Sequence, residues 1–279
     1  MVFLHPSRDI AQIITRDHKV EIPEKSIPGE SFAFPSKKFH GIRFNGELPL
    51  DLGNNNVFFV AGLYANSPVR VTRQFYKPSL LSHPTHIWEL GFIVIDRPPL
   101  SLGNKLRISK SVWKRVSADK ELRKEQRKKA NEILKTPNGP PQLNCWDAPI
   151  KSKIVSKFGS PRYLPSGRGY YHSGVDLRGW TGTPLKIPAD GTVVLAEHMI
   201  VPGNNVIISH GGGIYSRYMH LDKMNVKVGD KVKRGQIIGT SGSTGRVEGA
   251  HLHWEVRWKG HHADPHMFMT TWNQNCLRQ

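Results

Sequence analysis

The sequence predicts a mainly β protein: an antiparallel β-sheet domain with long loops, preceded by a small β-sandwich and a charged linking helix. Three observations predict it. Short apolar runs separated by turn residues recur from about residue 31 to 110 and again from about 144 onward. A single stretch, from about 118 to 134, lacks Gly and Pro and is rich in helix-forming residues. A length of 279 residues corresponds to about two domains.

Composition and charge exclude several classes of protein. Two cysteines cannot build a disulfide-rich scaffold, and no apolar run approaches the ~20 residues of a membrane span. The 26 Gly and 20 Pro follow no collagen-like or other low-complexity repeat. Lys plus Arg number 40 against 22 Asp plus Glu, a net charge of +18. Such a surface attracts polyanions: nucleic acid, an acidic membrane face or an anionic cell-wall polymer.

Residues 1–117 are predicted to form the β-sandwich, after an irregular N-terminal segment. Apolar residues alternate from Ile42 to Leu50 around an Asn45–Gly46 turn, which is a hairpin pattern. Further strand-like runs follow at Val57–Ala61, at Val69–Val71 and at Phe92–Ile95. About six short strands in some 80 residues are typical of a small sandwich.

Residues 118–143 are predicted to be the charged helix and a Pro/Gly linker. A thin apolar stripe would rest on a neighbouring domain, and its members are Leu122, Gln126, Ala130, Ile133 and Leu134. Between Lys105 and Lys129 there are 11 basic and 3 acidic residues. This basic stretch lacks the signatures of nucleic-acid modules, so we expect no nucleic-acid partner, although a DNA-binding protein built around it is the rival interpretation.

The two cysteines and the N-terminus bear on the compartment. Cys145 and Cys276 enclose nearly all of the second half. Pairing would close a loop of 131 positions, contribute roughly 5 kcal/mol at most, and imply an oxidising compartment; two free thiols are the alternative. The apolar N-terminal stretch is too short for a signal peptide, so either the protein is not exported or the numbering starts after a removed leader.

Residues 144–279 return to a β pattern. Gly-rich turns separate the strand-like runs, and no interval holds a long amphipathic helix. The predicted strands are Val193–Ala196, Val206–Ser209, Tyr215–Met219, Val226–Val232, Gln236–Gly239 and Leu252–Trp258.

Histidines concentrate in this second half, where nine of the 14 lie between residues 172 and 266. His251 and His253 are two apart in a predicted strand, so both imidazoles project from one face. Two His and one Asp with an open water position would make a three-ligand zinc site, and unligated imidazoles nearby could serve as base and transition-state stabiliser. No HExxH helix offers a glutamate base. Each spacing is weak evidence alone, because His-x-x-x-Asp also occurs at His5 and Asp9.

Longer motifs are more specific than these spacings. They are, in order, Phe158–Arg162 (FGSPR), His172–Leu177 (HSGVDL), Gly182–Pro184 (GTP), Ala189–Val193 (ADGTV), Asn205–Gly211 (NVIISHG), Tyr218–Leu221 (YMHL), Val228–Gly239 (VGDKVKRGQIIG), Gly242–Gly245 (GSTG) and His251–Val256 (HLHWEV). Together they closely resemble the LytM/lysostaphin-type zinc metallopeptidases, a family of peptidoglycan endopeptidases. The resemblance covers roughly residues 150–268.

The resemblance implies roles for five residues. It implies that His172, Asp176 and His253 bind zinc, with water in the fourth position, and that His220 and His251 are the catalytic histidines. The implied chemistry is hydrolysis of a peptide bond in a cell-wall cross-link or cross-bridge. Some members of the family lack one or more of these residues and act as non-catalytic activators, whereas this chain keeps all five.

More loosely, the first half resembles the immunoglobulin-like domain that precedes this peptidase in some exported bacterial proteins. Its role would be substrate placement or autoinhibition. We therefore expect a monomeric, zinc-dependent peptidoglycan endopeptidase, periplasmic or secreted, with no membrane span. The alternative is a non-catalytic wall-binding or hydrolase-activating module of the same fold.

Six other residues near the motifs are candidates for a role. Arg162 could hold a substrate carboxylate in bidentate fashion. Trp180 and Trp254 could stack on substrate or fill the core, and Tyr170 and Tyr171 could line the groove or simply pack. His210 follows a predicted strand and is more typical of a structural hydrogen-bonder than of a ligand.

Overall fold

The computed structural model describes residues 99–276 without a gap. Before them it describes residues 10–14, 19–23, 25–26, 29–35, 42–44, 49–51, 56–60, 69–75 and 86–95. The fold is mainly β, with mostly antiparallel pairing and three α-helices in the described ranges. The predicted fold class is therefore confirmed. No helix in these ranges is both long enough and apolar enough to cross a bilayer.

In the described ranges before residue 99 the chain forms nine strands. They are β1 (Ile10–Ile14), β2 (Lys19–Pro23), β3 (Lys25–Ser26), β4 (Ser31–Pro35), β5 (Ile42–Phe44), β6 (Leu50–Asp51), β7 (Asn56–Val60), β8 (Val69–Phe75) and β9 (His86–Ile95). They form a two-stranded β1-β2 sheet, a four-stranded sheet in the order β3-β9-β8-β5 and a three-stranded sheet in the order β4-β7-β6.

The predicted hairpin from Ile42 to Leu50 is not formed between the described strands. β5 pairs with β8 and β6 pairs with β7, so the two strands do not pair with each other. The Asn45–Gly46 turn itself lies outside the described residues. Turn chemistry is only a local preference, and here the long-range arrangement buries Phe44 in the core of the second half.

Two helices lead into the second half, after a short strand β10 (Asn104–Lys105): α1 (Lys110–Ser117) and α2 (Lys120–Lys135). α2 is the predicted charged helix, and α1 was missed by the sequence analysis. The Asp119 carboxylate accepts a hydrogen bond from the backbone N–H of Leu122 at 2.7 Å and so starts α2. Ala130 and Leu134 are buried under the main sheet, as the thin apolar stripe predicts.

Twelve strands and one helix complete the chain. They are β11 (Ile154–Ser156), β12 (Pro161–Tyr163), β13 (Gly169–Tyr171), β14 (Val175–Arg178), β15 (Pro184–Lys186), β16 (Gly191–Met199), β17 (Gly203–Ser209), β18 (Ile214–Met224), β19 (Lys231–Val232), β20 (Ile237–Ser241), β21 (His251–Trp258), β22 (His261–Ala263) and α3 (Pro265–Asn273).

A ten-stranded sheet dominates this second half. Seven strands run in the order β11-β14-β21-β18-β17-β16-β19, while β15, β20 and β22 pair at its margins. Every predicted strand overlaps an observed one, but within Val226–Val232 only Lys231–Val232 is a strand. Large apolar side chains from the central strands fill the core, among them Tyr218, Trp254 and Trp258.

A disulfide joins the two ends of the second half. Cys145 pairs with Cys276 across a Cα–Cα distance of 5.1 Å, which settles the alternative that the sequence left open. Beside it, the Asn273 side chain bonds the backbone N–H and the carbonyl of Trp146, both at 2.8 Å, and the Trp272 indole donates to the Asn144 carbonyl. The terminal helix α3 is thereby fastened to residues 144–146.

Removing the disulfide tests this fastening. We expect the Cys145→Ser/Cys276→Ser variant to lose about 2–5 kcal/mol of unfolding free energy, because a long loop is no longer closed in the unfolded chain. Urea denaturation with and without reductant measures the loss. Reductant should lower the stability of the wild type to that of the variant and leave the variant unchanged. Equal stability of wild type and variant would contradict a structural role for the bond.

His210 ties three segments together from a fully buried position. Its Nδ1–H donates to the Asp190 carbonyl at 2.7 Å, its Nε2 lies 2.8 Å from the Ser216 hydroxyl, and the Trp146 ring packs against it. Burial lowers the pKa of His210 to about 4, although its bond to the Asp190 carbonyl opposes the shift. The imidazole is therefore neutral and structural.

This pKa predicts an acid-sensitive contribution to stability. Below pH 6.5 the unfolded chain binds a proton at His210 that the folded chain refuses, so stability falls by about 1.4 kcal/mol per pH unit until pH 4. His210→Gln should cost about 1–3 kcal/mol at pH 8, and the deficit should shrink as the pH drops towards 4. Denaturation curves across pH measure both effects. His198→Gln, at an exposed position, is the control; a deficit independent of pH would refute the assignment.

Candidate metal centre

The centre is built on one pair of antiparallel strands. In the ladder between β14 and β21, Asp176 lies opposite His253 and Arg178 lies opposite His251. His251 and His253 project from one face of β21, since side chains two apart in a strand share a face. His172 lies just before β14 and reaches the same point. This single pairing of β14 with β21 therefore brings together residues that are far apart in the sequence.

Gly174 allows the segment before β14 to approach β21 closely. A Cβ atom at this position would lie 2.3 Å from the carbonyl oxygen of Trp254 and 3.0 Å from Nε2 of His253. No side chain fits there without displacing backbone. The glycine is thus a requirement of the site's construction.

Three ligand-type atoms converge among His172, Asp176 and His253, all of which are buried. His172 Nε2 lies 3.1 Å from Asp176 Oδ1 and 2.9 Å from His253 Nδ1, and His253 Nδ1 lies 2.8 Å from Asp176 Oδ1. Two imidazole nitrogens and a carboxylate oxygen form a donor set that suits a divalent transition metal.

Hydrogen bonds on the far side of each imidazole ring determine which nitrogen faces the other two ligand-type atoms. Nδ1 of His172 donates to the Lys157 carbonyl at 2.8 Å, so its Nε2 presents a lone pair to the centre. His253 Nε2 faces the Glu255 carboxylate at 3.4 Å, which turns its Nδ1 inward. With Asp176 Oδ1, three electron pairs face one another. A cation among them would offset this repulsion, and a metal ion would satisfy all three atoms at once where a proton on His253 serves fewer.

The pKa shifts reflect the same convergence of electron pairs. Burial lowers the pKa of His172 to about 4, which keeps that ring neutral. Burial also opposes protonation of His253, but its bonds to Asp176 and Glu255 outweigh burial and raise its pKa. Burial would raise the pKa of Asp176, but its close contacts with His172 and His253 lower that pKa far below its usual value and keep the carboxyl ionised.

The buried Glu255 carboxylate lies on the side of His253 that faces away from the centre. Besides facing His253, it accepts hydrogen bonds from Ser173 at 2.5 Å and from Arg257 at 3.3 Å. Burial alone would raise the pKa of Glu255, but the Arg257 charge and the His253 bond hold it well below the usual range. An ionised carboxylate behind a ligand histidine fixes the ring's tautomer and orientation.

His220 reaches the centre through a β-bulge. Val206 of β17 lies opposite Tyr218 and Asn204 lies opposite Leu221, so two residues of β18 oppose Asn205 alone. His220 takes up the irregularity with a φ of 65°, which is uncommon outside glycine. Its backbone N–H donates to the Pro202 carbonyl at 2.8 Å, which holds this conformation.

The rings of His220 and His251 lie beside the three ligand-type residues. The His220 and His251 centroids are 5.1 Å apart, and His251 Nε2 lies 3.6 Å from Asp176 Oδ1. Nδ1 of His220 donates to the Thr244 carbonyl at 2.9 Å and Nδ1 of His251 donates to the Gly249 carbonyl at 2.8 Å. Each ring therefore directs its Nε2 away from the backbone. Burial and the charges of His251 and His253 hold the pKa of His220 well below its usual value.

The Arg162 guanidinium pairs with a carboxylate of this chain. One terminal nitrogen donates to Asp176 Oδ2 at 2.7 Å and to the Ser156 hydroxyl. Arg162 thus neutralises the oxygen of Asp176 that points away from the two histidines. Spacing alone could not reveal this contact, since it joins β12 to β14 across two turns.

The aromatic residues separate into two groups. Trp254 is buried in the core, whereas the Trp180 side chain is 74% exposed and fills no core. Tyr171 packs against the core, while the Tyr170 ring lies under the guanidinium of Arg246. Sequence reasoning missed both Glu255 and Arg246; the former stands inside the quoted HLHWEV motif, which is the signal that would have found it.

Comparisons with known proteins find that part of this chain is similar to one peptidase family. Residues 170–265 match the model described as Peptidase family M23. The chain is 45% identical over 115 residues to peptidoglycan DD-endopeptidase ShyA and 39% identical over 120 residues to peptidoglycan DD-endopeptidase ShyC, both of Vibrio cholerae serotype O1. These matches cover 40% and 42% of this chain but only 27% and 28% of the relatives.

A solved structure named for peptidase M23, from Pseudomonas aeruginosa, shares the fold. It superposes with a TM-score of 0.60 at 24% identity, over 87% of this chain and 94% of its own. At that identity the likeness concerns the fold alone. It extends beyond residues 170–265 to most of the chain.

The buried carboxylate behind His253 generates a prediction about metal affinity. Glu255→Gln should weaken divalent metal binding about 10–100-fold, because the ligand histidine loses its charged hydrogen-bond partner. Competition against a chromogenic chelator measures the affinity, with circular dichroism to verify folding. Glu197→Gln, which removes a surface carboxylate paired with Lys129, is the matched control. Unchanged affinity in a folded Glu255→Gln variant would show that Glu255 does not support the ligand.

Proposed function

We propose that the chain, whose residues 170–265 match the model of peptidase family M23, is a zinc-dependent endopeptidase that hydrolyses the peptide cross-links of bacterial peptidoglycan. One observation carries the proposal: the buried convergence of His172, Asp176 and His253 beside two histidines with fixed tautomers. The names of the V. cholerae relatives support the choice of substrate.

Zinc is the metal that best fits the three residues. Imidazole nitrogen and carboxylate oxygen are its common ligands, and three protein ligands leave a position open for chemistry. When bound, Zn²⁺ supplies a Lewis acid for the scissile carbonyl and lowers the pKa of water to ~7. Arg162 and Glu255 would keep Asp176 ionised and His253 oriented for that ion.

His220 and His251 would handle the protons of the reaction. Both rings carry their hydrogen on Nδ1, held by a backbone carbonyl, and direct Nε2 outward. One ring can then accept the proton of the attacking water, and the other, once protonated, can stabilise the oxygen on which negative charge develops. The proton is finally passed to the departing amine. Substrate must approach from the side of this histidine pair.

We also propose the domain division and the location expected from the sequence. Residues 1–117 would form a β-sandwich of immunoglobulin type that places substrate, residues 118–143 a helical linker and residues 144–279 the peptidase. The four-stranded and three-stranded sheets before residue 99 support the first unit. The Cys145–Cys276 disulfide favours an oxidising compartment, hence a periplasmic or secreted monomer.

The alternative is a wall-binding or hydrolase-activating module that does not cleave. The endopeptidase and the non-cleaving module are distinguished by incubating purified sacculi under three conditions. These are the protein alone, the protein with a chelator, and the chelated protein after Zn²⁺ is restored. We expect soluble fragments in the first and third cases alone, and mass spectrometry of those fragments identifies the bond. Binding of sacculi without release of any fragment would favour the module.

Substitution of one proton-handling histidine gives the sharper test. His251→Ala should lower the cleavage rate about 10²–10⁴-fold while zinc stoichiometry stays at one, because the ring transfers protons without holding the ion. His266→Ala, an exposed histidine in α3, should cleave at the wild-type rate. Loss of zinc together with activity in His251→Ala would reassign this residue as a ligand. Retained cleavage would remove it from the mechanism.

A further inference from the structure

Arg246 is an arginine beside the centre that no carboxylate neutralises. Within the described residues no ion pair reaches its guanidinium, whereas Arg162, Arg234 and Arg257 each contact a carboxylate oxygen. Its guanidinium instead lies over the ring of Tyr170, 5.7 Å from the centroid. A partly buried arginine that rests on an aromatic ring and has no carboxylate partner is able to bind an anion.

The position of Arg246 places it on the wall of the metal centre. It follows Thr244, whose carbonyl holds His220, by two residues, and its backbone N–H donates to the Val201 carbonyl at 2.9 Å. Tyr170, beneath it, lies opposite Arg162 in the ladder between β12 and β13. Arg162 in turn bonds Asp176, so a continuous chain of contacts leads from Arg246 to the centre.

Positive charge accumulates on this wall. Burial lowers the pKa of Arg246, and the charges of Arg162 and Arg123 lower it further, while Tyr170 opposes them. Arg115 adds a third cation, because its guanidinium donates to the Gly245 carbonyl at 3.2 Å. Like charges in a partly dehydrated position repel, and an incoming anion relieves that repulsion.

We propose that Arg246 binds a free carboxylate of the peptide cross-link and so aligns the scissile bond with the metal centre. The inference rests on the proposed function, since it specifies the substrate of the same site. A guanidinium presents a planar fork that matches a carboxylate in bidentate geometry, and Tyr170 holds that plane in place. Arg162 already has a carboxylate partner in Asp176, whereas Arg246 has none among the described residues, so the role falls to Arg246.

The test pairs an enzyme variant with a substrate variant. Two cross-linked peptides are synthesised that differ only in carrying free carboxylates or the corresponding primary amides. Wild type and Arg246→Gln are compared on both, with Arg234→Gln as the control, because Arg234 pairs with Asp147 away from this wall. Zinc content and thermal unfolding verify that each variant is folded and loaded.

We expect Arg246→Gln to lower kcat/KM about 10–100-fold on the carboxylate peptide and less than about twofold on the amide. Amidation should cost the wild type the same factor, so the two changes are not additive. Arg246→Lys should recover part of the loss, since it restores charge without the fork. An equal loss on both peptides, or no loss on the carboxylate peptide, overturns the inference.

Binding separates failure of this inference from failure of the proposed function. Calorimetry with the zinc-loaded protein measures the affinity for each peptide whether or not either is cut. Weaker binding of the amide by the wild type, abolished in Arg246→Gln, supports the carboxylate site even if sacculi resist cleavage. Equal affinities for both peptides in the wild type overturn it even if sacculi are digested.

Discussion

The pairing of β14 with β21 is the constraint on which the centre depends. It sets Asp176 opposite His253 and brings His172 to both. The register is fixed by the other face of β21, where Leu252 and Trp254 are buried in the core. A slip of one residue would exchange the two faces and expose these side chains, at a cost of roughly 1.5–3 kcal/mol each. The hydrophobic core therefore holds the polar site in register.

Around that pairing, buried charges are arranged in opposed couples. The Asp176 carboxylate lies between Arg162 and the histidines, and the Glu255 carboxylate lies between His253 and Arg257. Removing water from such groups is expensive, and only complete hydrogen bonding makes it tolerable. The benefit is rigidity: the ligand atoms cannot rotate without breaking a charged contact. Functional sites in general require such preorganisation of the residues that support them.

Sequence reasoning reached as far as local periodicity and motif order allow. The alternation in β21 predicted that His251 and His253 share a face, and the ordered motifs predicted the family. Tertiary contacts were beyond it. The bulge that turns His220 inward depends on Asn204 and Val206 of a neighbouring strand, and the hairpin expected at Ile42 gave way to a distant partner. Contacts between distant segments, such as that of Arg162 with Asp176, cannot be predicted from the spacing of residues in the sequence.

The structure shows where the basic helices α1 and α2 pack, which composition alone could not predict. α2 is fixed to the main sheet by buried Ala130 and Leu134 and by the ion pair of Lys129 with Glu197. Its neighbour α1 bonds the loop that carries Arg246, through Arg115. Part of the positive charge of these helices therefore lies beside the loop that carries Arg246, while most of it faces solvent. Under the proposed function, these charges would attract an anionic polymer over the Debye length and would also lie near the bond to be cut.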